Sequence, residues 1–122
     1  MSETNKELRA RTKQYSLRII RMFASLPNTS VAQVLGKQVL RSGTSVGAHY
    51  REGHRARSNA EFISKLEVAL QELDESAYWL ELLVEGGIFP VEKLADLIQK
   101  TDELIAIFVT CVKKAKVKKD EG

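Results

Sequence analysis

The sequence contains few of the residues that form disulfides, tight turns and membrane spans. Cys111 is the only cysteine, so an intrachain disulfide and a cysteine-based metal cluster are excluded. The two prolines, and the few glycines outside residues 36–62, leave little turn material for an all-β fold. No run approaches the roughly 20 apolar residues that span a bilayer, and residues 1–14 lack the apolar core of a signal peptide. We therefore expect an all-α, cytoplasmic protein with no membrane partner.

The charged residues that are present are distributed unevenly along the chain. The formal net charge is only +3, but residues 1–57 carry eleven Lys or Arg against three Asp or Glu. Residues 58–85 reverse this balance with one Lys and seven acidic residues, and residues 113–119 add five lysines. Basic elements therefore flank an acidic helix, and this distribution is more informative than the net charge.

Apolar residues recur at alternating steps of three and four in four segments, which is the pattern of helices that each bury one stripe. The predicted helices cover about residues 5–25, 31–56, 59–85 and 91–115, and a basic tail over 113–122 is expected to fray. Capping-box spacings predict three helix starts, at Thr4–Glu7, Ser30–Gln33 and Ser58–Glu61. Short links between four such helices predict one domain over residues 1–122, folded as an antiparallel up-down-up-down four-helix bundle.

The second predicted helix, over about residues 31–56, has three distinct faces. The face expected to be buried is Leu35, Val39, Ser42, Val46, His49 and Gly53. A second face, at the same spacing, is Lys37, Arg41, Thr44, Ala48, Arg51 and Arg55. A third row contains glycines that each cost roughly 1 kcal/mol relative to alanine inside a helix, which indicates close approach of another backbone. We assign four residues to close packing or to a subunit interface: Gly36, Gly43, Gly47 and Tyr50.

Several short motifs in residues 35–62 resemble those of a known family. They are LGKQVLRS at 35–42, SVGA at 45–48, Glu52-Gly53, Arg57-Ser58 and Glu61-Phe62. The segment resembles the four-helix-bundle proteins encoded by intervening sequences within bacterial 23S ribosomal RNA genes, to which the accessory variability determinant proteins of diversity-generating retroelements are similar. The resemblance implies a homopentamer and an association with nucleic acid and a reverse transcriptase. At His49-Tyr50 the chain departs from the Asn-Ile that is usual in this family.

Little in the sequence points to catalysis. His49, Glu52 and His54 are the only cluster that suggests a metal or acid/base site, but a bundle di-metal site needs two Glu-x-x-His units and two further carboxylates. Ser42 and His49 are about 10 Å apart along one helix, too far for a nucleophile and its base. No phosphate-binding loop, nucleophile elbow or dinucleotide fingerprint is present. We expect no enzyme activity, no metal and no cofactor.

The remaining candidate site is a set of basic side chains that would bind the phosphate backbone of RNA or DNA. This set is Lys37, Arg41, Arg51, Arg55, Arg57, Arg18 and Arg21. Arg9 and Lys13 of the first helix could add to it. In a homo-oligomer, symmetry would repeat the basic surface on each copy.

Two alternatives to this binding site remain open at the level of the sequence. Arg41 and Arg51 could instead form structural salt bridges with acidic residues of the third helix, such as Glu67 and Glu75. The protein could also be an interaction scaffold that docks a reverse transcriptase or another protein without binding nucleic acid directly. The sequence does not distinguish between these functions, because it does not show which arginines face outward.

Overall fold

In a computed structural model that describes residues 3–121, with side chains described through residue 118, the chain forms four helices. They are α1 (Glu3–Ala24), α2 (Ser30–His54), α3 (Asn59–Glu85) and α4 (Val91–Glu121). Each helix contacts the next one along the chain, and α1 also contacts α4. No strand occurs within the described residues, so the predicted all-α four-helix bundle is confirmed.

In the contacts between neighbouring helices, residue numbers rise along one helix while they fall along the other. On α2 and α3, Arg41 lies beside Glu75, whereas Gly53 lies beside Leu66. These two helices therefore run in opposite directions, as the short connection between them requires. The same argument holds for α1 and α2, because α2 approaches Phe23 near its start and Asn5 near its end.

The starts of the first two helices differ from the predicted ones by one or two residues. Thr4 lies inside α1 rather than at its cap, because the helix already includes Glu3. Thr29, not Ser30, caps α2: its backbone is extended, and its hydroxyl accepts a hydrogen bond from the Ala32 N–H at 3.2 Å. Thr29 and Ser30 are both acceptable capping residues, so composition does not choose between them.

The predicted start of α3 agrees with the structure, whereas the predicted end of α4 does not. The Ser58 cap is confirmed, because its hydroxyl accepts a hydrogen bond from the Glu61 N–H at 3.1 Å. Gly87 takes the left-handed conformation after α3, with φ of 70°. The tail that was expected to fray is helical through Glu121, since lysine is a good helix former.

The predicted seams form the core of the bundle. Every seam position of the first predicted helix is buried, and these positions are Leu8, Thr12, Tyr15, Ile19, Met22 and Leu26. On α2, the seam residues Leu35 and His49 are only half-buried. The largest fully buried side chain of all is Phe108 on α4.

Two pairs of buried hydroxyl groups link helices across the core. The Tyr15 and Thr101 hydroxyl oxygens are 2.7 Å apart, and so are those of Ser42 and Ser76. Thr101 and Ser76 each donate their only hydroxyl proton to the carbonyl four residues earlier, so Tyr15 and Ser42 are the donors of the interhelical bonds. Burial raises the pKa of Tyr15, and its hydrogen bonds to Thr101 and Ser76 partly offset that effect.

The glycine row of α2 faces α1 of the same chain. A Cβ atom built at Gly43 would lie 2.8 Å from the Cγ1 atom of Ile19, and one at Gly36 would lie 2.5 Å from a methyl group of Leu26. At Gly47 the nearest atom would be the Thr12 hydroxyl oxygen at 3.2 Å. The row therefore lets α1 and α2 approach closely, and it does not lie on an outer surface.

Tyr50, which was assigned with these glycines, is also enclosed by its own chain. It is only 3% exposed. Its hydroxyl donates a hydrogen bond to the Asn5 side-chain oxygen at 2.8 Å, and its ring centre is 5.8 Å from that of Phe108. Tyr50 therefore connects the start of α1 to α4 within one bundle.

We expect Gly43→Ala to lower the free energy of unfolding by about 1–2 kcal/mol, because overpacking against the rigid Ile19 side chain outweighs the gain of about 1 kcal/mol in helix propensity. Gly47→Ala is the matched control, and its looser contact should leave stability nearly unchanged. Urea unfolding followed by circular dichroism measures both. Equal effects at the two positions would contradict the close approach at Gly43.

We expect Thr101→Val to destabilise the fold more than Tyr15→Phe. The valine removes an acceptor and leaves the buried Tyr15 hydroxyl to find another, at a cost of about 1–3 kcal/mol. The phenylalanine removes a donor that Thr101 does not need, at a cost of about 1 kcal/mol. Thermal unfolding of both single variants and the double variant gives the coupling energy. A larger loss of stability for Tyr15→Phe than for Thr101→Val would contradict the assignment of Tyr15 as the donor of this hydrogen bond.

Candidate nucleic-acid interface

The outer surface of α2 carries basic side chains along most of the helix. Lys37 and Arg55 are exposed and Arg51 is half-buried. Lys37 and Arg55 are 18 residues apart, which is about 27 Å on a helix that rises 1.5 Å per residue. This surface is opposite the buried seam, so the fold itself does not use these charges.

A shallow groove of about 360 Å³ lies between α1 and α2 and adds residues from α1 to this surface. Its lining is Thr12, Lys13, Ser16, Thr44, Gly47, Ala48 and Arg51. Ser16 and Thr44 donate their hydroxyl protons to carbonyl groups four residues earlier, and their oxygens retain lone pairs. The lining contains two cations and no carboxylate, a combination that suits an anion.

Four cations of this surface form what we call the basic face: Lys13, Lys37, Arg51 and Arg55. None of them forms an ion pair with a carboxylate whose side chain the structure describes. The sequence explains why, because it contains no Asp or Glu between Glu7 and Glu52. Cations in this span can therefore be paired only by α3, by α4 or by the outermost residues of α1 and α2.

Arg41 and Arg18 are paired in this way and do not belong to the basic face. The Arg41 guanidinium lies 3.2 Å from Glu72 and 2.8 Å from Glu75 of α3. Arg18 forms an ion pair with Asp96 of α4. For Arg41, the alternative of a structural salt bridge with Glu75 is therefore the observed one.

The other two predicted binding residues lie elsewhere on the bundle. Arg21 lines a groove between α1 and α4, together with Arg18, Phe89 and Lys93. Arg57 is exposed in the connection between α2 and α3, and its backbone N–H donates to the Glu61 carboxylate at 3.3 Å. The seven predicted residues are thus spread over four regions, and only Lys37, Arg51 and Arg55 share the outer surface of α2.

Sequence reasoning gave too little weight to Lys13 and did not consider Ser16. Lys13 was only an addition to the predicted set, yet it lines the same groove as Arg51. The absence of acidic residues between Glu7 and Glu52 is the signal that could have identified three of the four cations of the basic face, Lys13, Lys37 and Arg51. Gly47 of α2 lies against Thr12 of α1. Because Lys13 follows Thr12, that contact would have placed Lys13 beside the basic surface of α2.

The His49 cluster is arranged around an ion pair. Glu52 accepts a hydrogen bond from the Lys65 ammonium group at 2.8 Å, and that bond and the nearby charge lower the pKa of Glu52. His49 Nδ1 is 3.9 Å from the same carboxylate. No group of three His, Cys, Asp or Glu residues that could hold a metal ion occurs in the part of the chain that the structure describes.

Comparison with known proteins identifies the family. Residues 5–110 match the family described as 23S rRNA-intervening sequence protein. The chain belongs to that family. The predicted resemblance to intervening-sequence proteins is therefore confirmed, whereas the relation to retroelement accessory proteins stays a prediction.

A solved structure agrees with this membership. It is described as a protein of unknown function from the S23 ribosomal protein family of Bacteroides thetaiotaomicron VPI-5482, and it is 35% identical in sequence. The similarity covers 86% of this chain and 97% of that chain, with a TM-score of 0.81. No curated protein matches this intervening-sequence protein. None of the described helices is long and apolar enough to cross a membrane.

We expect Arg41→Gln to lower the free energy of unfolding by about 0.5–1 kcal/mol at low ionic strength, because Glu72 and Glu75 lose the cation between them. The effect should shrink in concentrated salt, which screens the remaining repulsion. Arg51→Gln is the control and should change stability much less. Denaturant unfolding at two salt concentrations measures this difference, and equal losses for both variants would argue against separate roles.

Proposed function

We propose that this intervening-sequence protein is a non-catalytic, homo-oligomeric protein that binds the phosphate backbone of nucleic acid through its basic face. The observation that carries the proposal is the set of four cations, on two adjacent helices, without a described carboxylate partner. Lys13 and Arg51 sit at the groove between α1 and α2, whose lining contains no carboxylate.

The physical basis of such binding is the release of counterions from the phosphates. Each phosphate neutralised on duplex DNA contributes roughly −0.9 to the slope of log affinity against log salt concentration. Four cations per copy would give weak binding with little sequence preference, because phosphate contacts carry no base information. Several copies in one assembly would strengthen it without any new contact, and a pentamer is the number that the family resemblance suggests.

A second function is favoured by a different surface. Val31, Val34 and Tyr78 are 55%, 62% and 54% exposed, and the Tyr78 ring packs against that of Trp79, with ring centres 5.3 Å apart. Exposed large apolar side chains are typical of a surface that another protein covers. This supports a scaffold that docks a reverse transcriptase or another protein.

We expect Lys13→Glu with Arg51→Glu to weaken binding to a structured RNA hairpin or a DNA duplex by roughly 10- to 100-fold at low salt, and to reduce the salt slope by roughly 2. Fluorescence anisotropy over a salt series measures both quantities, and circular dichroism checks the fold. Arg21→Glu with Lys93→Glu is the matched control, because it reverses two charges at the groove between α1 and α4.

Three results would contradict the proposal. If the wild-type protein shows no salt-sensitive binding, phosphate recognition is excluded. If the control variant weakens binding as much as the test variant, the basic face is not the site. If light scattering gives the mass of one chain, the protein is not a homo-oligomer. Capture of a reverse transcriptase by a protein that fails to bind nucleic acid would favour the scaffold.

A further inference from the structure

The last turns of α4 extend past the packed part of the bundle. Ala115 marks the limit of packing: it is 7% exposed, and its carbonyl accepts a hydrogen bond from the Asn59 side-chain amide at 2.7 Å. Beyond it, Val117 is 57% exposed, and the helix continues to Glu121. This segment therefore forms a helical projection rather than part of the core.

The projection and the turn before it carry four exposed lysines: Lys113, Lys114, Lys116 and Lys118. Of these, only Lys116 approaches a described carboxylate, that of Glu67 at 4.0 Å. Like charges three or four residues apart, such as Lys114 and Lys118, destabilise a helix by a few tenths of a kcal/mol. The favourable effect of the helix dipole is confined to the last turn, which Lys113 and Lys114 precede. The helix propensity of lysine accounts for the helix itself, but neither propensity nor the helix dipole requires the charges of Lys113 and Lys114.

Two arginines lie at the same end of the bundle. Arg55 and Arg57 belong to the connection that leads directly into Asn59, and Asn59 contacts Ala115. Two carboxylates near this connection are already engaged, since Glu52 binds Lys65 and Glu61 accepts the Arg57 backbone N–H. We call the cations of this end that form no ion pair with a described carboxylate the basic end: Arg55, Arg57, Lys113, Lys114 and Lys118.

The opposite end of the bundle has a different charge. The last turns of α3 carry Glu81 and Glu85, and the first turn of α4 carries Glu92. The Glu85 carboxylate raises the pKa of Glu81, as expected for two carboxyl groups that share a site. Arg21 and Lys93 lie at this same end, so acidic and basic groups are mixed there, whereas the cations of the basic end form no ion pair with a described carboxylate.

We propose that the basic end is a second phosphate-contact site, continuous with the basic face, and that together they bind a double-stranded nucleic acid. This rests on the proposed function. Arg55 directly follows the last residue of α2, about one turn beyond Arg51, so these two residues connect the groove to the basic end. The track from Lys37 to Arg55 is about 27 Å long, which corresponds to roughly 8 base pairs of duplex at 3.4 Å per pair.

The aromatic residues favour a duplex over a single strand. Proteins that bind single strands stack the bases on aromatic side chains. Among the described Phe, Tyr and Trp side chains only Tyr78 is exposed, and it lies on α3 rather than on the basic face or the basic end. The exposed His54 precedes Arg55, and its ring is stacked against Tyr50 of the same chain, with ring centres 6.3 Å apart. The projection also exposes a single apolar residue, Val117, which gives it no apolar face for insertion into a bilayer.

The test uses the full chain with Lys114→Gln and Lys118→Gln, because glutamine removes the charge and keeps a similar helix propensity. The control is Arg21→Gln with Lys93→Gln, which removes two charges at the groove between α1 and α4. The probes are a duplex of about 12 base pairs, slightly longer than the track, and a single strand of the same length. We expect the test variant to bind the duplex roughly 3- to 30-fold more weakly, with a salt slope reduced by roughly 2, and the control to change little.

The outcomes separate this inference from the proposed function. One outcome is that the Lys114→Gln, Lys118→Gln variant binds the duplex like wild type, while the Lys13→Glu, Arg51→Glu variant binds it more weakly. In that case the basic end is not a phosphate-contact site, and the proposed function stands. If wild type binds no nucleic acid, both fail. If the wild-type protein binds the single strand as tightly as the duplex, the inference that the ligand is double-stranded is overturned. The Lys114→Gln, Lys118→Gln variant can also be tested on vesicles of phosphatidylcholine and phosphatidylserine. If it loses vesicle binding while its duplex binding is unchanged, the assignment of the basic end to nucleic acid is overturned.

Discussion

The register of the four helices depends on two buried hydrogen bonds between hydroxyl groups. Leucine and valine along a seam can slide past one another with little loss, because apolar contact has no direction. A buried hydroxyl without a partner costs about 1–3 kcal/mol, so it penalises such a slide. Tyr15 with Thr101 ties α1 to α4, and Ser42 with Ser76 ties α2 to α3. Polar core residues of this kind fix register in helical assemblies.

This register decides which charges meet a partner. With Ser42 beside Ser76, the guanidinium of Arg41 is carried to the carboxylates of Glu72 and Glu75. On the other side of α2, the glycine row holds α1 so close that Lys13 and Arg51 line one groove. The same helix therefore presents a neutralised edge towards α3 and a cationic edge towards α1.

The sequence predicts the helices and their buried faces well, because both follow from the spacing of residues within one segment. It does not predict the fate of each arginine. Arg41 and Arg51 occupy the same face in the sequence pattern, yet Arg41 is paired and Arg51 is not. The difference comes from the neighbouring helix on each side, and a single-helix pattern contains no information on its neighbours. The choice of Thr29 over Ser30 as a cap likewise depends on the backbone of the preceding loop.

Opposite charges are matched at some junctions between helices of this bundle, as in the pairs of Arg18 with Asp96 and Glu52 with Lys65. The cations of the basic face and the basic end have no such match among the described carboxylates. Exposed like charges repel one another and slightly destabilise a compact state, so these residues do not help the chain to fold. Under the proposed function, the regularly spaced negative charge of a phosphate backbone would turn that repulsion into attraction, which would account for their position.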